Sequence, residues 1–324
     1  MKTRNVLLTA LFVAFLLPTA LMAQTDRNPE GNDLVSQYEL DKSIVQINTT
    51  NTATGFQAAF NSIVEDTTER AHLCQAFVED ARFFPDESGY FFIETIEDAS
   101  VVAHANPDLI GTSRIDVQDI YGKYFIRDLV STVKHIGYGF VEYYRRNLVT
   151  NETERKLSFV TGIPAASWFI GAGFYGDLEK KYYEPVDANK RIIEEVTTTI
   201  AYGLGGIFEN IYTDPSDRIE FCRKFIDYIR FFDDQSGYFF IYDSDCINIA
   251  HGIQKDLQGQ DLTEYQDPNG NFVIQGLLEI VENDGKGFYE YYWNNPVTRQ
   301  QEPKMSFVIG IPGTDYFIGS GIYL

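Results

Sequence analysis

The sequence has few of the residues that commonly bind metals or haem: three cysteines and four histidines in 324 residues. Cys74, Cys222 and Cys246 form no CxxC pair and no Cys/His cluster. Their spacing therefore argues against covalent haem and structural zinc. Because three cysteines cannot all pair within one chain, at least one thiol is free. We expect Cys74 and Cys222 to be small buried residues on matching helices rather than a disulfide.

Catalytic motifs are also missing from the sequence. It contains no GxSxG, HExxH or GxxxxGK[ST] pattern, and no cysteine lies in a nucleophile-like setting with a histidine. The acidic pair Asp243 and Asp245 is typical of a turn between strands, and no twelve-residue EF-hand loop is present. We therefore predict that the protein is not an enzyme and binds neither a cofactor nor a metal.

Positive charge is scarce. Lysine and arginine together number 26 against 47 acidic residues, so the formal net charge is −21. Such a chain repels nucleic acid and anionic membranes at long range, which excludes nucleic acid as an expected partner. An anion-binding site would have to be built from local positive groups.

Long apolar runs are absent except for residues 6–17 near the start. This run follows Lys2 and Arg4, is succeeded by Pro18, and precedes the small residue Ala23. The pattern indicates a signal peptide over residues 1–23. The alternative is an uncleaved anchor, but the run is shorter than the ~20 residues of a spanning helix. We expect a periplasmic or secreted protein.

One long segment of the sequence occurs twice. RFFPDESGYFFI (residues 82–93) and RFFDDQSGYFFI (residues 230–241) are offset by 148, as are the later segments 139–175 and 287–323. Near the two histidines that follow GYFFI the offset falls to 147. A repeat of this length indicates a duplicated domain rather than a solenoid unit. We predict a first domain over residues 24–176 and a second over residues 177–324.

Each copy changes from a helical to a strand-like pattern. Apolar residues recur at spacings of three and four within residues 217–232, which predicts a helix, and residues 69–84 match it in the first copy. Short aromatic runs bounded by Gly, Asp, Asn and Pro follow and indicate strands. The segment after DPNG fits a helix that crosses the sheet. The pattern predicts an α+β fold with mainly antiparallel sheets.

The ordered motifs GYFFIYD, a histidine, DPNG, GFYEYYW, PKMSFV and YFIGSGIYL resemble the Cache family of extracellular sensor domains, type 2. The resemblance covers both copies. It implies two PAS-like domains, each an antiparallel sheet with a long N-terminal helix and a small-molecule pocket. Such domains often sense small carboxylates or amino acids for chemoreceptors and histidine kinases.

The sequence departs from the family pattern in three respects. It shows no receptor output module, so we expect a separate signalling partner such as a membrane receptor or histidine kinase. The first copy has Arg145 where the second has Trp293, and Leu148 where the second has Pro296. The two pockets therefore need not bind the same ligand.

Aromatic residues two apart in the repeated strands share one face of the sheet. They suit either an apolar pocket wall or the core, and for any single ring core packing is the simpler interpretation. The candidate wall residues are Tyr90, Phe92 and Tyr143 in the first copy and Tyr238, Phe240, Tyr291 and Trp293 in the second.

Charged and polar candidates complete the predicted sites. Lys156 and Lys304 begin apolar strands and occupy the lysine position of the family motif, where an ammonium would meet a carboxylate. The alternative is a solvated lysine at a strand end. His104 and His251 would donate a hydrogen bond, and their charge would follow external pH. Arg145 adds a bidentate donor in the first copy alone.

Two functions of different classes follow from these features. The first is a sensor that binds a small carboxylate or similar metabolite and takes part in signal transduction or chemotaxis. The second is a structural or interaction module whose pockets are filled by side chains and whose long helices form a homodimer.

Overall fold

The computed structural model describes residues 34–176 and 181–324. The predicted signal peptide lies outside the described residues. Within the described ranges, no helix has both the length and the apolar character needed to cross a membrane.

In the described residues, the first copy contains three α-helices and the whole of a six-stranded antiparallel sheet. Its helices are α1 (Gln37–Ser62), α2 (Thr67–Asp80) and α3 (Phe125–Ile136). Its strands are β1 (Val35–Ser36), β2 (Arg82–Phe83), β3 (Gly89–Thr95), β4 (Val101–His104), β5 (Tyr138–Arg146), β6 (Thr153–Ile163) and β7 (Trp168–Tyr175). The sheet order is β2-β3-β7-β6-β5, with β4 paired to β3.

The second copy repeats this plan. Its helices are α4 (Pro185–Asn210), α5 (Pro215–Phe225) and α6 (Val273–Asp284). Its strands are β8 (Tyr182–Tyr183), β9 (Phe239–Asp243), β10 (Asn248–His251), β11 (Lys286–Asn294), β12 (Gln301–Gly310) and β13 (Tyr316–Tyr323). The sheet order is β10-β9-β13-β12-β11, and all its pairs are antiparallel. The predicted α+β class is confirmed.

Helices α2 and α5 end earlier than the sequence pattern predicts, at Asp80 and Phe225. The chain turns back instead, and Phe83 pairs with Gly89 at the start of β3. This turn requires left-handed backbone at Phe84 and Glu87, with φ of 68° and 58°. The apolar periodicity continues past the helix because residues in the turn also face the core.

Each sheet has an inner and an outer face, set by the alternation of side chains. In β3, Phe91 and Ile93 belong to the central core, whereas Phe92 packs in a separate outer cluster with Phe125 of α3. In β9, Phe239 and Ile241 face the central core and Phe240 faces the outer cluster beneath α6. The outer faces carry the predicted pocket residues.

The two copies share one central core. Helix α1 packs on β6 and β7, α4 packs on β12 and β13, and the crossed pairs α2 with α4 and α1 with α5 are in contact. The core cluster accordingly contains residues of both copies. The two sheets are separate, but the helices that cover them form one layer. The domain limits 24–176 and 177–324 therefore stay a prediction.

Two glycines show how closely the helices of one copy fit those of the other. A Cβ on Gly203 of α4 would lie 2.3 Å from the ring of Phe77 in α2, and a Cβ on Gly55 of α1 would lie 2.6 Å from the ring of Phe225 in α5. These pairs are related by the repeat offset of 148. The packing of the copies is therefore pseudo-two-fold, as in an isologous interface.

The cysteines behave as expected from the sequence. Cys74 in α2 and Cys222 in α5 are free and buried at matching places, and Cys246 is also free and buried. Burial raises the pKa of the Cys222 thiol, which makes it unreactive at neutral pH.

Candidate functional site

A cavity of about 290 Å³ opens on the outer face of the first copy. Among the described residues that line it there are two guanidinium groups, an imidazole and two amides, but no carboxylate side chain. The lining residues are Tyr90, His104, Asn106, Leu109, Arg145, Arg146, Leu148 and Asn151. This set of donors suits an anionic ligand.

Arg145 is a lining residue that the repeat comparison had singled out. It is half-buried near the end of β5, and its guanidinium lies 5.9 Å from the centre of the Phe125 ring. No hydrogen bond or ion pair engages this guanidinium within residues 34–176 and 181–324. Its donors are therefore available to a ligand, and its role in ligand binding stays a prediction.

His104 presents a neutral ring to the same cavity. Its Nδ1 accepts a hydrogen bond from the backbone N–H of Asn106 at 2.8 Å, so the proton of the neutral ring is on Nε2. Burial, and next the positive charge of Arg114, lowers the pKa of His104 to about 2. The expectation that this charge follows external pH is wrong, because the ring stays neutral throughout the physiological range. It remains a hydrogen-bond donor.

Lys156 lies behind the cavity wall rather than in it. Its Nζ donates to the Tyr175 hydroxyl at 3.1 Å and lies 3.9 Å from the centre of the Tyr90 ring. The side chain is 1% exposed, and burial lowers its pKa. The predicted lysine is thus next to Tyr90 of the site. Its ammonium group contacts the phenols of Tyr90 and Tyr175 and does not line the cavity.

The remaining predicted residues of the first copy are divided between wall and core. Tyr90 lines the cavity and its hydroxyl is 3.1 Å from that of Tyr175. Tyr143 stacks on Phe125 at 4.2 Å between ring centres, and Phe92 packs in the same outer cluster. Phe92 and Tyr143 thus support the site from the core instead of lining the cavity.

A buried ion pair beneath the outer face was missed by the sequence analysis. Arg114 Nη1 lies 2.8 Å from Glu94 Oε1, and the second oxygen, Oε2, has no hydrogen-bond partner among the described residues. Burial raises the pKa of Glu94 to about 7 despite the arginine. The signal was present in the repeat, because the offset of 148 places Tyr242 and Leu262 at these positions in the second copy.

The void on the outer face of the second copy is far smaller, and its lining shares two positions with the first cavity, those of His251 and Trp293. Only about 10 Å³ remains there. The void is lined by Phe240, Tyr242, His251, Ile274, Leu277, Tyr291 and Trp293. Four of these were predicted as pocket residues, and the structure brings them together around a space that holds about one water molecule.

Lys304 and His251 of the second copy are also buried, but the phenol bonded to Lys304 is the repeat equivalent of Tyr90 and not of Tyr175. Lys304 Nζ donates to the Tyr238 hydroxyl at 2.8 Å, and burial lowers its pKa well below the usual value. His251 Nδ1 accepts from the backbone N–H of Gln254 at 2.9 Å, and burial with the charge of Lys304 lowers its pKa to about 3. Both side chains are 1% exposed and enclosed by aromatic rings.

Several lining residues of the first cavity were not predicted. Asn106 and Leu109 lie in and beside a short 3-10 turn after β4, and Leu148 and Asn151 lie in the loop between β5 and β6. Arg146 adjoins the predicted Arg145. Loop residues carry no periodic pattern, so only their place beside the repeated motifs would have indicated them.

Two family models match the chain. The model for single Cache domain 2 matches residues 46–188, and a Cache domain model matches residues 219–324. Together they cover most of both copies.

Two curated relatives match shorter parts of the chain. The sensor histidine kinase MctS of Rhizobium johnstonii is 37% identical over 90 residues, which are 28% of this chain and 19% of the kinase. The methyl-accepting chemotaxis protein McpP of Pseudomonas putida is 29% identical over 91 residues, 28% of this chain and 17% of that protein. The chain thus matches less than a fifth of either relative.

Among solved structures, a methyl-accepting chemotaxis protein from Vibrio parahaemolyticus is similar, with 31% identity and a TM-score of 0.35. The match covers 43% of this chain and 90% of that one. The family models, the duplicated sequence and the two antiparallel sheets with long helices agree: the chain belongs to the Cache family, with two Cache domains of type 2 in tandem.

Proposed function

We propose that the protein is a periplasmic or secreted sensor that binds a small organic acid in its first copy and acts with a separate signalling partner. The observation that carries this proposal is the cavity of about 290 Å³, lined by Arg145, Arg146 and the His104 ring. A volume of this size lies near the lower end of the range for small-molecule sites.

The electrostatics of the first copy favour an anion. The formal charge of the whole chain is −21, yet two guanidinium groups line this cavity and Lys156 lies behind Tyr90. A carboxylate would receive charge-assisted hydrogen bonds from Arg145 and a neutral one from His104 Nε2. Because the described lining offers no carboxylate, the cavity lacks an ionic partner for a ligand's ammonium group.

The partner is proposed from the family. The two curated relatives are named as a sensor histidine kinase and a methyl-accepting chemotaxis protein. A liganded form of this protein would therefore contact a membrane receptor or kinase and alter its signalling or chemotaxis output. Cache domains commonly lie outside the cytoplasm, which agrees with the basic and apolar residues 1–23 that resemble a signal peptide.

The structural alternative is supported only by the second copy, whose pocket is nearly full. It also required dimerisation through the long helices. Those helices, α1 and α4, contact each other and both sheets within one chain. A homodimer would have to form through another surface.

The proposal is tested by thermal shift and calorimetry of residues 24–324 against a panel of small carboxylic acids, amino acids and amines. We expect at least one acid to raise the melting temperature. Arg145→Ala should weaken its binding roughly 10- to 100-fold, the value of a charged hydrogen bond. Arg127→Ala, which removes an exposed arginine paired with Asp116, serves as the matched control.

Two results would contradict the proposal. One is that no acid stabilises the protein, and the other is that Arg145→Ala binds the acid as wild type does. The role of the lysines has its own test. A Lys156→Ala/Lys304→Ala variant that binds the acid unchanged would exclude them from the site.

A further inference from the structure

We propose that the Trp293 indole is the built-in occupant of the second pocket, so that the chain offers one ligand site and not two. The indole fills, from within the fold, the place that stands open in the first copy. This inference takes the site of the proposed function as its reference, but its main test does not depend on the identity of the ligand.

Two positions relate the indole to the open cavity of the first copy. Trp293 matches Arg145 at the offset of 148, and Gln254 matches Asn106 because each directly precedes the short 3-10 turn that follows the histidine. Both residues of the first copy line the open cavity. In the second copy the same two positions are joined, because the indole Nε1–H donates to Gln254 Oε1 at 2.8 Å. The bond therefore spans the space that separates Arg145 from Asn106.

The indole is buried and in contact with aromatic side chains, as a bound ligand would be. It is 4% exposed, its ring is stacked near His251 at 6.3 Å between centres, and it meets Tyr265 at 5.0 Å. Its one polar group has a partner, and its ring contacts the rings of His251, Tyr265 and Tyr291. The volume left beside it, about 10 Å³, admits no organic molecule.

The residues around the indole also differ from their equivalents in the first copy. The buried ion pair of Glu94 and Arg114 in the first copy is replaced by Tyr242 and Leu262 in the second. Three charged positions are thus aromatic or apolar where the indole is present. The second pocket is built for an apolar occupant, and its cation, Lys304, is covered by Tyr238.

The frame around this position does not need an aromatic ring in order to fold. The first copy has the same strands and a matching covering helix, carries Arg145 there, and keeps a cavity of about 290 Å³. Removing the indole from the second copy should therefore leave a preformed apolar cavity. Removal of a tryptophan from the central core would instead let the site collapse or would destabilise the fold.

The test uses indole itself as the probe on residues 24–324. Trp293→Ala should lower the melting temperature by at least roughly 5 °C, as expected for loss of a buried tryptophan. Added indole should then raise it by an increment that grows with the logarithm of indole concentration. Wild type should show no such rise.

The chain provides a matched control because its other tryptophan is Trp168. This residue is 6% exposed and packs against Phe60 in the central core. Trp168→Ala should be destabilised without recovery in indole. Trp293→Phe, a milder change, should fold and show a smaller indole response than Trp293→Ala.

The proposal is overturned if indole stabilises neither Trp293 variant, or if it stabilises Trp168→Ala to the same extent. Calorimetry of wild type with the acid found in the panel adds a second criterion. One acid per chain is expected, and two would overturn the inference. If no acid binds, the proposed function fails, whereas the indole experiment still decides the role of Trp293.

Discussion

At the scale of single residues, Lys304 is a buried basic group with no acidic partner among the described residues. Its Nζ contacts the Tyr238 hydroxyl and lies 4.0 Å from the centre of that ring, and burial lowers its pKa. Between the lowered pKa and the ordinary value near 10.4, the unfolded chain binds more protons than the folded one. The contribution of Lys304 to the free energy of unfolding therefore rises with pH.

We accordingly predict that Lys304→Met stabilises the protein at neutral pH by roughly 1 to 2 kcal/mol, because an apolar side chain avoids the cost of burying an ammonium. The advantage should shrink as the pH approaches about 10.4. Urea melts across this pH range measure it. Lys134→Met, which changes an exposed lysine of α3, should have little effect. A destabilised Lys304→Met variant at neutral pH would show that the ammonium contributes to folding.

A second prediction concerns Glu94 and Arg114. Arg114→Leu should cost about 3 to 5 kcal/mol, because it leaves a buried carboxyl without its cation. The double variant Glu94→Tyr/Arg114→Leu, which adopts the residues of the second copy, should lose less than Arg114→Leu alone. A double-mutant cycle from chemical denaturation measures the coupling. Additive losses would show that the two side chains do not depend on each other.

The pH dependence of the single variant gives a further check on its cause. Because the pKa of Glu94 is raised in the folded protein, the folded chain holds the proton in a range where the unfolded chain has lost it. In wild type and in Arg114→Leu the folded carboxyl stays protonated up to about pH 7, so the loss should be constant below that pH. It should grow above about pH 7, where the carboxyl of wild type ionises beside the arginine and that of the variant does not. A loss that does not change with pH would assign it to packing.

How much of the site the sequence predicts differs from residue to residue. Comparison of the copies picks out Arg145 and Trp293, and the structure places one on an open wall and the other in a nearly filled pocket. The lysines were predicted at the right strands. That their ammonium groups face phenols depends on side-chain direction, which no sequence pattern records.

At the scale of elements, the helices and strands follow from periodicity, while their ends do not. The segment after DPNG is the predicted crossing helix, α6. The ends of α2 and α5 were misplaced because Phe83 and Phe231 continue the apolar pattern while pairing with Gly89 and Gly237. A turn that faces the core cannot be told from a helix by apolar spacing alone.

The contact of α2 with α4 makes a prediction at this scale. In Gly203→Ala the new Cβ would lie 2.3 Å from the Phe77 ring, so the variant should be destabilised by about 1 to 3 kcal/mol. Helix propensity alone predicts the opposite, a gain of about 1 kcal/mol. Thermal melts distinguish the two. Adding Phe77→Leu should recover part of the loss; if Gly203→Ala is stabilised, the contact is not tight.

At the scale of the whole molecule, the duplication was predictable and its assembly was not. A constant offset of 148 shows that two similar units exist, but it does not say which faces they bury. The structure shows that the helices of one copy pack against those of the other, with Phe77 on Gly203 and Phe225 on Gly55. These contacts join residues far apart in the sequence, and hydrophobic periodicity relates only residues that are close in the sequence.

The shared core predicts how each copy behaves alone. Residues 24–176 would expose the apolar faces of α1 and α2 that α4 and α5 cover in the full chain. In the full chain Phe77 packs on Gly203, and Gly55 is the repeat equivalent of Gly203. The Phe77 ring of one isolated copy therefore has a matching surface at Gly55 of another. We therefore expect the isolated copy to form a two-fold homodimer, or to aggregate, and to pair with residues 177–324 when the two are mixed. Light scattering after size exclusion measures the mass of each species. Phe77→Asp should abolish the pairing, and an isolated first copy that is a stable monomer would contradict the shared core.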